Sequence, residues 1–126
     1  MRLETVRRLW KFYEERRWDE AARLFASDAV MIWHTSGERF GGAAIIEVNR
    51  LYPEGWRIEM IETAKLDDGR VLSVVRVSHP PNVFFATSLF DFDADKIKKI
   101  DEYWATFEKP SDWRKPGFLE NYEYYG

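Results

Sequence analysis

The second half of the chain is a series of extended segments cut apart by tight-turn residues. Trp56–Leu66, Val71–His79, Val83–Phe92 and Lys96–Phe107 are rich in β-branched and aromatic residues, the side chains that pack best on a pleated surface. Between them stand Asp67-Asp68-Gly69, Pro80-Pro81-Asn82 and Asp93-Ala94-Asp95. Asp and Gly tolerate the left-handed backbone of a hairpin turn, and Pro cannot donate to a sheet ladder. Successive strands joined this closely must run antiparallel, and Val83–Phe92, long and apolar, reads as the central one.

The first half reads differently. Val6, Leu9, Trp10 and Tyr13 recur at helical spacing, while Arg2, Glu4, Arg7, Arg8, Lys11, Glu14 and Glu15 take the opposite face. A second stripe, Trp18, Ala21, Ala22 and Phe25, predicts another helix, with Asp19 and Glu20 in its first turn and Ser27-Asp28 at its end. Ala29–His34 predicts a first strand, Thr35–Gly42 a loop with two Gly-containing turns, and Ala43–Tyr52 a third helix stopped by Pro53 and Gly55. Glu108–Gly126 reads as an irregular tail whose Trp113, Phe118, Tyr122, Tyr124 and Tyr125 need a surface to cover. Helices segregated from an antiparallel sheet define an α+β fold. A curved sheet wrapped on three helices would form a cone with an apolar mouth.

Composition narrows the function classes. The 126 residues fit one domain, 1–126. Nineteen Lys and Arg against 22 Asp and Glu give a net charge of −3, the wrong sign for a nucleic-acid module. Without cysteine there is no disulfide scaffold and no thiolate chemistry. No HxH or HExxH spacing, phosphate loop or GxSxG elbow is present, so neither a metal site nor a cofactor is expected. The N-terminus has no signal-like apolar run and no segment is long enough to span a membrane. A cytoplasmic protein with no membrane or nucleic-acid partner is the expectation. Arg7-Arg8 and Arg16-Arg17 lie beside glutamates and read as solvated helix surface.

The order of elements and several local stretches resemble the nuclear transport factor 2-like superfamily, and within it the SnoaL-like (polyketide cyclase-like) proteins. The resembling residues are Trp18-Asp19, Leu24-Phe25-Ala26-Ser27-Asp28-Ala29-Val30, Trp33-His34-Thr35-Ser36-Gly37 and Phe40-Gly41-Gly42-Ala43-Ala44-Ile45. Asp101-Glu102-Tyr103-Trp104 and Pro110-Ser111-Asp112-Trp113-Arg114 match later in the chain. The resemblance implies a cone-shaped, cystatin-like roll and a homodimer. It leaves the activity open among isomerases, cyclases, dehydratases, epoxide hydrolases and non-catalytic binding modules. Ketosteroid isomerase needs a carboxylate base and a Tyr–Asp pair for the enolate oxygen. Those positions fall on Trp33, Leu9 and Ser88, which cannot do that work.

Among titratable groups, His34 closes the first strand at the expected pocket mouth and is a candidate acid or base. Alternation puts Trp33 and His34 on opposite faces, so His34 would reach the pocket only where the strand ends. A rim histidine bonded to the next loop is the bland alternative. His79, before Pro80-Pro81, reads as exposed. Ile100, Glu102 and Trp104 share a face of the last strand; if it faces inward, Glu102 sits in an aromatic cavity with a raised pKa, a second candidate acid or base. Against this stand a Glu that merely holds the sheet together, or the reverse orientation with Glu102 in solvent. Ser88 is the polar member of the set Phe84, Ala86, Ser88 and Phe90, with Phe85, Thr87, Leu89 and Asp91 opposite. Ser88 and Tyr13 are candidate hydrogen-bond donors to a ligand. Arg76 would pair with Glu102 inside or with a carboxylate such as Glu59 outside. Tyr13, Trp33, Phe40, Tyr52, Trp56, Met60 and Trp104 converge on the cone mouth and suit a flat, apolar small molecule. The same rings would also serve to fill the cone.

Overall fold

The computed structural model describes residues 1–114, 117 and 119–123. Its elements are α1 (Arg2–Glu14), α2 (Trp18–Ala22), β1 (Phe25–Trp33), β2 (Glu38–Gly41), α3 (Ala43–Leu51), β3 (Arg57–Lys65), β4 (Val71–His79), β5 (Asn82–Asp93) and β6 (Lys96–Thr106). The six strands form one curved sheet in the order β2-β1-β6-β5-β4-β3. β3 to β6 are a meander of antiparallel hairpins, as their turn residues require. The chain then closes on itself: β1 lies beside β6 and runs parallel to it. A parallel pair needs a long crossover, and here everything between the two strands supplies it.

Two sequence expectations fail at the same corner. The segment 35–42 contains β2, whose Arg39 and Phe40 pair with Ile32 and Met31 of β1. The Ser36-Gly37 turn precedes the short strand, and Gly41, expected in a second turn, is its last residue, paired with Val30. The second helix stops at Ala22, although Phe25 falls in its helical stripe. Phe25 instead opens β1 opposite Ile97, and Leu24 accepts the Ile97 amide at 2.9 Å. Sheet pairing outweighs a five-residue helix, which is marginal by itself.

The core lies between α1 and the inner sheet face. Val6, Leu9, Trp10, Phe12 and Tyr13 of α1 are buried against Val71, Val75 and Val77 of β4, Ala86 and Phe90 of β5, and Ile97 and Ile100 of β6. β4 alternates buried and half-buried from Val71 to Ser78. A bulge between Asp91 and Phe92 shifts the β5–β6 register and lets both Ile97 and Ile100 face inward. Arg76 lies on the other face, across from Glu59, and donates to the Ser78 hydroxyl at 2.9 Å. It does not meet Glu102. In the tail, Trp113 is exposed, with the Arg114 guanidinium 5.1 Å from its ring centre. Phe118, Tyr124 and Tyr125 lie outside the described residues.

Candidate functional site

A cavity of about 460 Å³ opens between α1 and the sheet, within the range of small-molecule sites. Helix α1 contributes Trp10 and Tyr13 to its wall, and β1 and β6 contribute Trp33 and Trp104. Tyr52, at the end of α3, and Trp56, just before β3, close the opposite side with Asn49. Ile58, Val77 and Phe84 complete the apolar lining, and Thr35, Ser36 and Glu38 stand at the β1–β2 turn. The wall is built this way because β-strand alternation and the helical stripe put large rings on the concave side.

Glu102 lies directly behind this wall. It is 3% exposed and its two oxygens hold three donors. The indole N–H groups of Trp33 and Trp104 both donate to Oε2 at 3.0 Å, and the Ser88 hydroxyl donates to Oε1 at 2.7 Å. Burial raises the Glu102 pKa above the ordinary 4.5, and the bonds from Ser88, Trp104 and Trp33 oppose that rise. Burial, and then the charge of Glu102, push the Tyr13 phenol upward. Glu102 therefore fixes the angle of two wall tryptophans and brings a titratable group to within reach of the cavity's field. Trp33 is further held edge-on by Phe40, 4.8 Å between ring centres, and by Trp104, 6.0 Å.

The sequence candidates thus separate. Tyr13, Trp33, Tyr52, Trp56 and Trp104 meet in one lining. Ser88 is fully buried and reaches the site only through Glu102. Phe40 packs behind Trp33, and Met60 is 36% exposed on β3; neither lines the cavity. His34 sits on the outer sheet face. Its Nε2 lies 2.7 Å from Asp101 Oδ1, and its ring stacks on Tyr103 at 4.7 Å. Strand alternation decides this: Asp101 and Tyr103 flank Glu102 and point the other way. His79 bonds the Glu54 carbonyl at 3.0 Å and Tyr52 Oη at 3.3 Å. Trp10, Asn49 and Phe84 were not read as site residues. Asn49 had a signal, a polar side chain within the apolar stripe of Ile45, Val48 and Tyr52. Among the described residues no group of three or more His, Asp or Glu could hold a metal, and no helix is long and apolar enough to cross a membrane.

The architecture is that of the nuclear transport factor 2-like proteins. The most similar solved structures include a candidate ketosteroid isomerase from Kribbella flavida DSM 17836, with a TM-score of 0.82 and 18% identity over 98% of this chain and 91% of that one. An NTF-2 like protein of unknown function from Burkholderia xenovorans LB400 follows at 0.78 and 16%, covering 90% of each chain. An M. tuberculosis LEH-like epoxide hydrolase aligns at 0.68 and 15%, covering 82% of each. At these identities the likeness concerns the fold. No protein-family profile matches the sequence, and no curated protein matches it.

Proposed function

We propose that this protein binds a flat, mainly apolar small molecule in the cavity between α1 and the sheet. The observation that carries the reading is a wall of rings supplied by separate elements around about 460 Å³ of space. Fold neighbours described as a ketosteroid isomerase and an epoxide hydrolase agree with it at the level of analogy. Saturable binding of naphthalene-sized aromatics, measured by equilibrium dialysis, is the expected result. Trp104→Ala should weaken it roughly tenfold or more, the scale of a buried aromatic contact. No binding at millimolar ligand overturns the reading.

Acid–base chemistry at Glu102 is a second reading, favoured by a buried carboxyl of raised pKa directly behind the wall. A carboxylate of this kind is a stronger base than one in water. On taking up a proton it would turn the Ser88 hydroxyl from donor to acceptor, since a hydroxyl does both. His34 has no part in this step. The protein should speed exchange of the α-hydrogens of 1-tetralone in D₂O, and Glu102→Gln should abolish the effect. Exchange at the buffer rate in both proteins sinks the acid–base reading.

The outer sheet face is proposed as a homodimer surface. Leu72 and Leu89 stand opposite each other there, with Val74, Phe85 and Tyr103 beside them, all half-buried or exposed. Sedimentation should give a dimer at micromolar concentration and a monomer for Leu89→Glu; a wild-type monomer ends that proposal.

A further inference from the structure

The cavity offers a ligand rings and negative charge, and no positive charge. Among the described residues its lining holds no Lys, Arg or His, and its one charged side chain is Glu38. The N–H and O–H donors of the buried rings are spent or out of reach. The Trp33 and Trp104 indoles donate to Glu102, and the Trp10 indole donates to the Ser73 hydroxyl at 3.0 Å. The Tyr13 hydroxyl and the Trp56 Nε1–H are sealed within the protein. Asn49 donates to the Ile45 carbonyl of its own helix at 2.8 Å. An anionic ligand would find no counter-charge in this lining.

Glu38 ends a strip that crosses four strands on the concave face. It stands directly opposite Trp33 in the β1–β2 pairing, and opposed side chains on antiparallel strands share a face. Trp104 follows on β6, 6.0 Å from Trp33 between ring centres, and Phe84 on β5, 6.3 Å from Trp104. These pairs meet at 72° and 80°, so neither is stacked face to face. The Ser36 hydroxyl donates to Glu38 Oε1 at 2.7 Å. No basic side chain pairs with Glu38 among the described residues. Arg39, beside it in the chain, takes the other face by strand alternation, opposite Ile32.

Elsewhere in the wall the chain supplies such a cation itself. Arg16 sets its guanidinium over the Trp56 ring, 3.4 Å from the centre, and Glu54 holds it there through Nε at 3.0 Å and Nη2 at 3.1 Å. That cluster is an indole, a carboxylate and a cation. The Glu38–Trp33–Trp104–Phe84 strip has the indoles and the carboxylate, and among the described residues no cation of the chain joins them. Aromatic faces attract positive charge through the ring quadrupole. Glu102 adds to this: by accepting both indole N–H groups it sets negative charge at the edges of the Trp33 and Trp104 rings and makes their faces better partners for a cation.

We propose that Glu38, Trp33, Trp104 and Phe84 form a cation subsite of the cavity, and that the ligand is a flat organic cation, an aromatic carrying a protonated or quaternised nitrogen. The inference rests on the small-molecule reading above and names its ligand class. The ligand's charge sits at the Trp33–Trp104 end, because Arg16 already occupies the Trp56 ring. The rest of the ligand lies against the apolar lining of Ile58 and Val77.

The test uses 1-methylnaphthalene and 1-methylquinolinium, which share a shape and differ by one positive charge, with 2-naphthoate as the anion, in equilibrium dialysis at low salt. Methylquinolinium should displace 1-methylnaphthalene and bind roughly tenfold more tightly than 2-naphthoate, the combined scale of a ring–cation contact and an exposed charge pair. Glu38→Gln should weaken methylquinolinium roughly threefold and leave 1-methylnaphthalene unchanged. Phe84→Leu should lower the affinity for the cation relative to the neutral compound, again roughly threefold. Glu38 is exposed, so its variant decides the matter even where Phe84→Leu does not fold. A bound 1-methylnaphthalene that methylquinolinium fails to displace overturns the cation subsite and leaves the cavity reading standing. So does a cation-to-neutral ratio that neither variant changes, or 2-naphthoate bound as tightly as methylquinolinium. Failure of both the neutral compound and the cation to bind the wild type removes both readings.

Discussion

Asp101 and Glu102 are consecutive carboxylates on β6 that face opposite sides of the sheet. Asp101 lies on the outer face, half-buried, between His34 at 2.7 Å and Lys99 at 3.6 Å. Glu102 lies on the inner face, behind three neutral donors, with no cation beside it among the described residues. One residue of strand register separates an ordinary surface ion cluster from a buried carboxyl with a raised pKa. Residue type says little about what a carboxylate does; the face it occupies decides it.

Substitution gives the largest expected contrast. Glu102→Ala leaves the Trp33 and Trp104 indoles and the Ser88 hydroxyl without their acceptor, and should cost about 3 kcal/mol or more in urea unfolding, since each buried orphan costs about 1–3 kcal/mol. Asp101→Asn should cost about 0.5 kcal/mol, as a part-exposed ion pair does. Equal losses would dissolve the distinction between the two faces.

Next in size is pH dependence. Because the folded pKa of Glu102 is raised, the native state binds its proton more tightly than the unfolded chain does. Its contribution to stability is therefore present below the ordinary 4.5 and is lost as pH rises through the folded value. The difference in unfolding free energy between wild type and Glu102→Gln should change across that interval, wild type losing ground as pH rises. For Asp101→Asn the matching difference should depend on salt, since its partners are solvated. A Glu102 difference that is flat from pH 4 upward contradicts the raised pKa.

The smallest effect concerns His34. His34→Ala should leave affinity for a naphthalene-sized aromatic unchanged within about twofold, because the ring lies on the far face of the sheet, stacked on Tyr103. Loss of affinity there would mean that the two faces communicate, and would sharpen the comparison into one of coupling across β6.

Much of this was legible in the chain. The hairpin turns at Asp67-Asp68-Gly69 and Asp93-Ala94-Asp95 gave β3 to β6, the Val6–Tyr13 stripe gave α1, and period-two alternation put Ile100, Glu102 and Trp104 on one face. β2 was not legible, because four residues ending on Gly41 carry no periodicity and exist as a strand only through pairing with β1. Nor was the parallel β1–β6 contact, which joins residues some seventy positions apart. The site split along the same line. Sequence supplied the rings and the buried glutamate. Phe40 and Met60 are equally aromatic or soft, yet one packs behind the lining and the other lies exposed.

What the sequence determined by itself is local: which segments twist into helix or strand and which side of each is apolar, since those follow from backbone sterics and side-chain spacing. What only the tertiary structure decided is which apolar sides enclose space and which fill it. That depends on the distance between α1 and the sheet, and on single long-range contacts such as Arg16 on Trp56 and the Trp33 indole on Glu102. Contacts of this kind leave no periodic trace in the chain, because each is one pair of residues brought together by the closure of the whole fold.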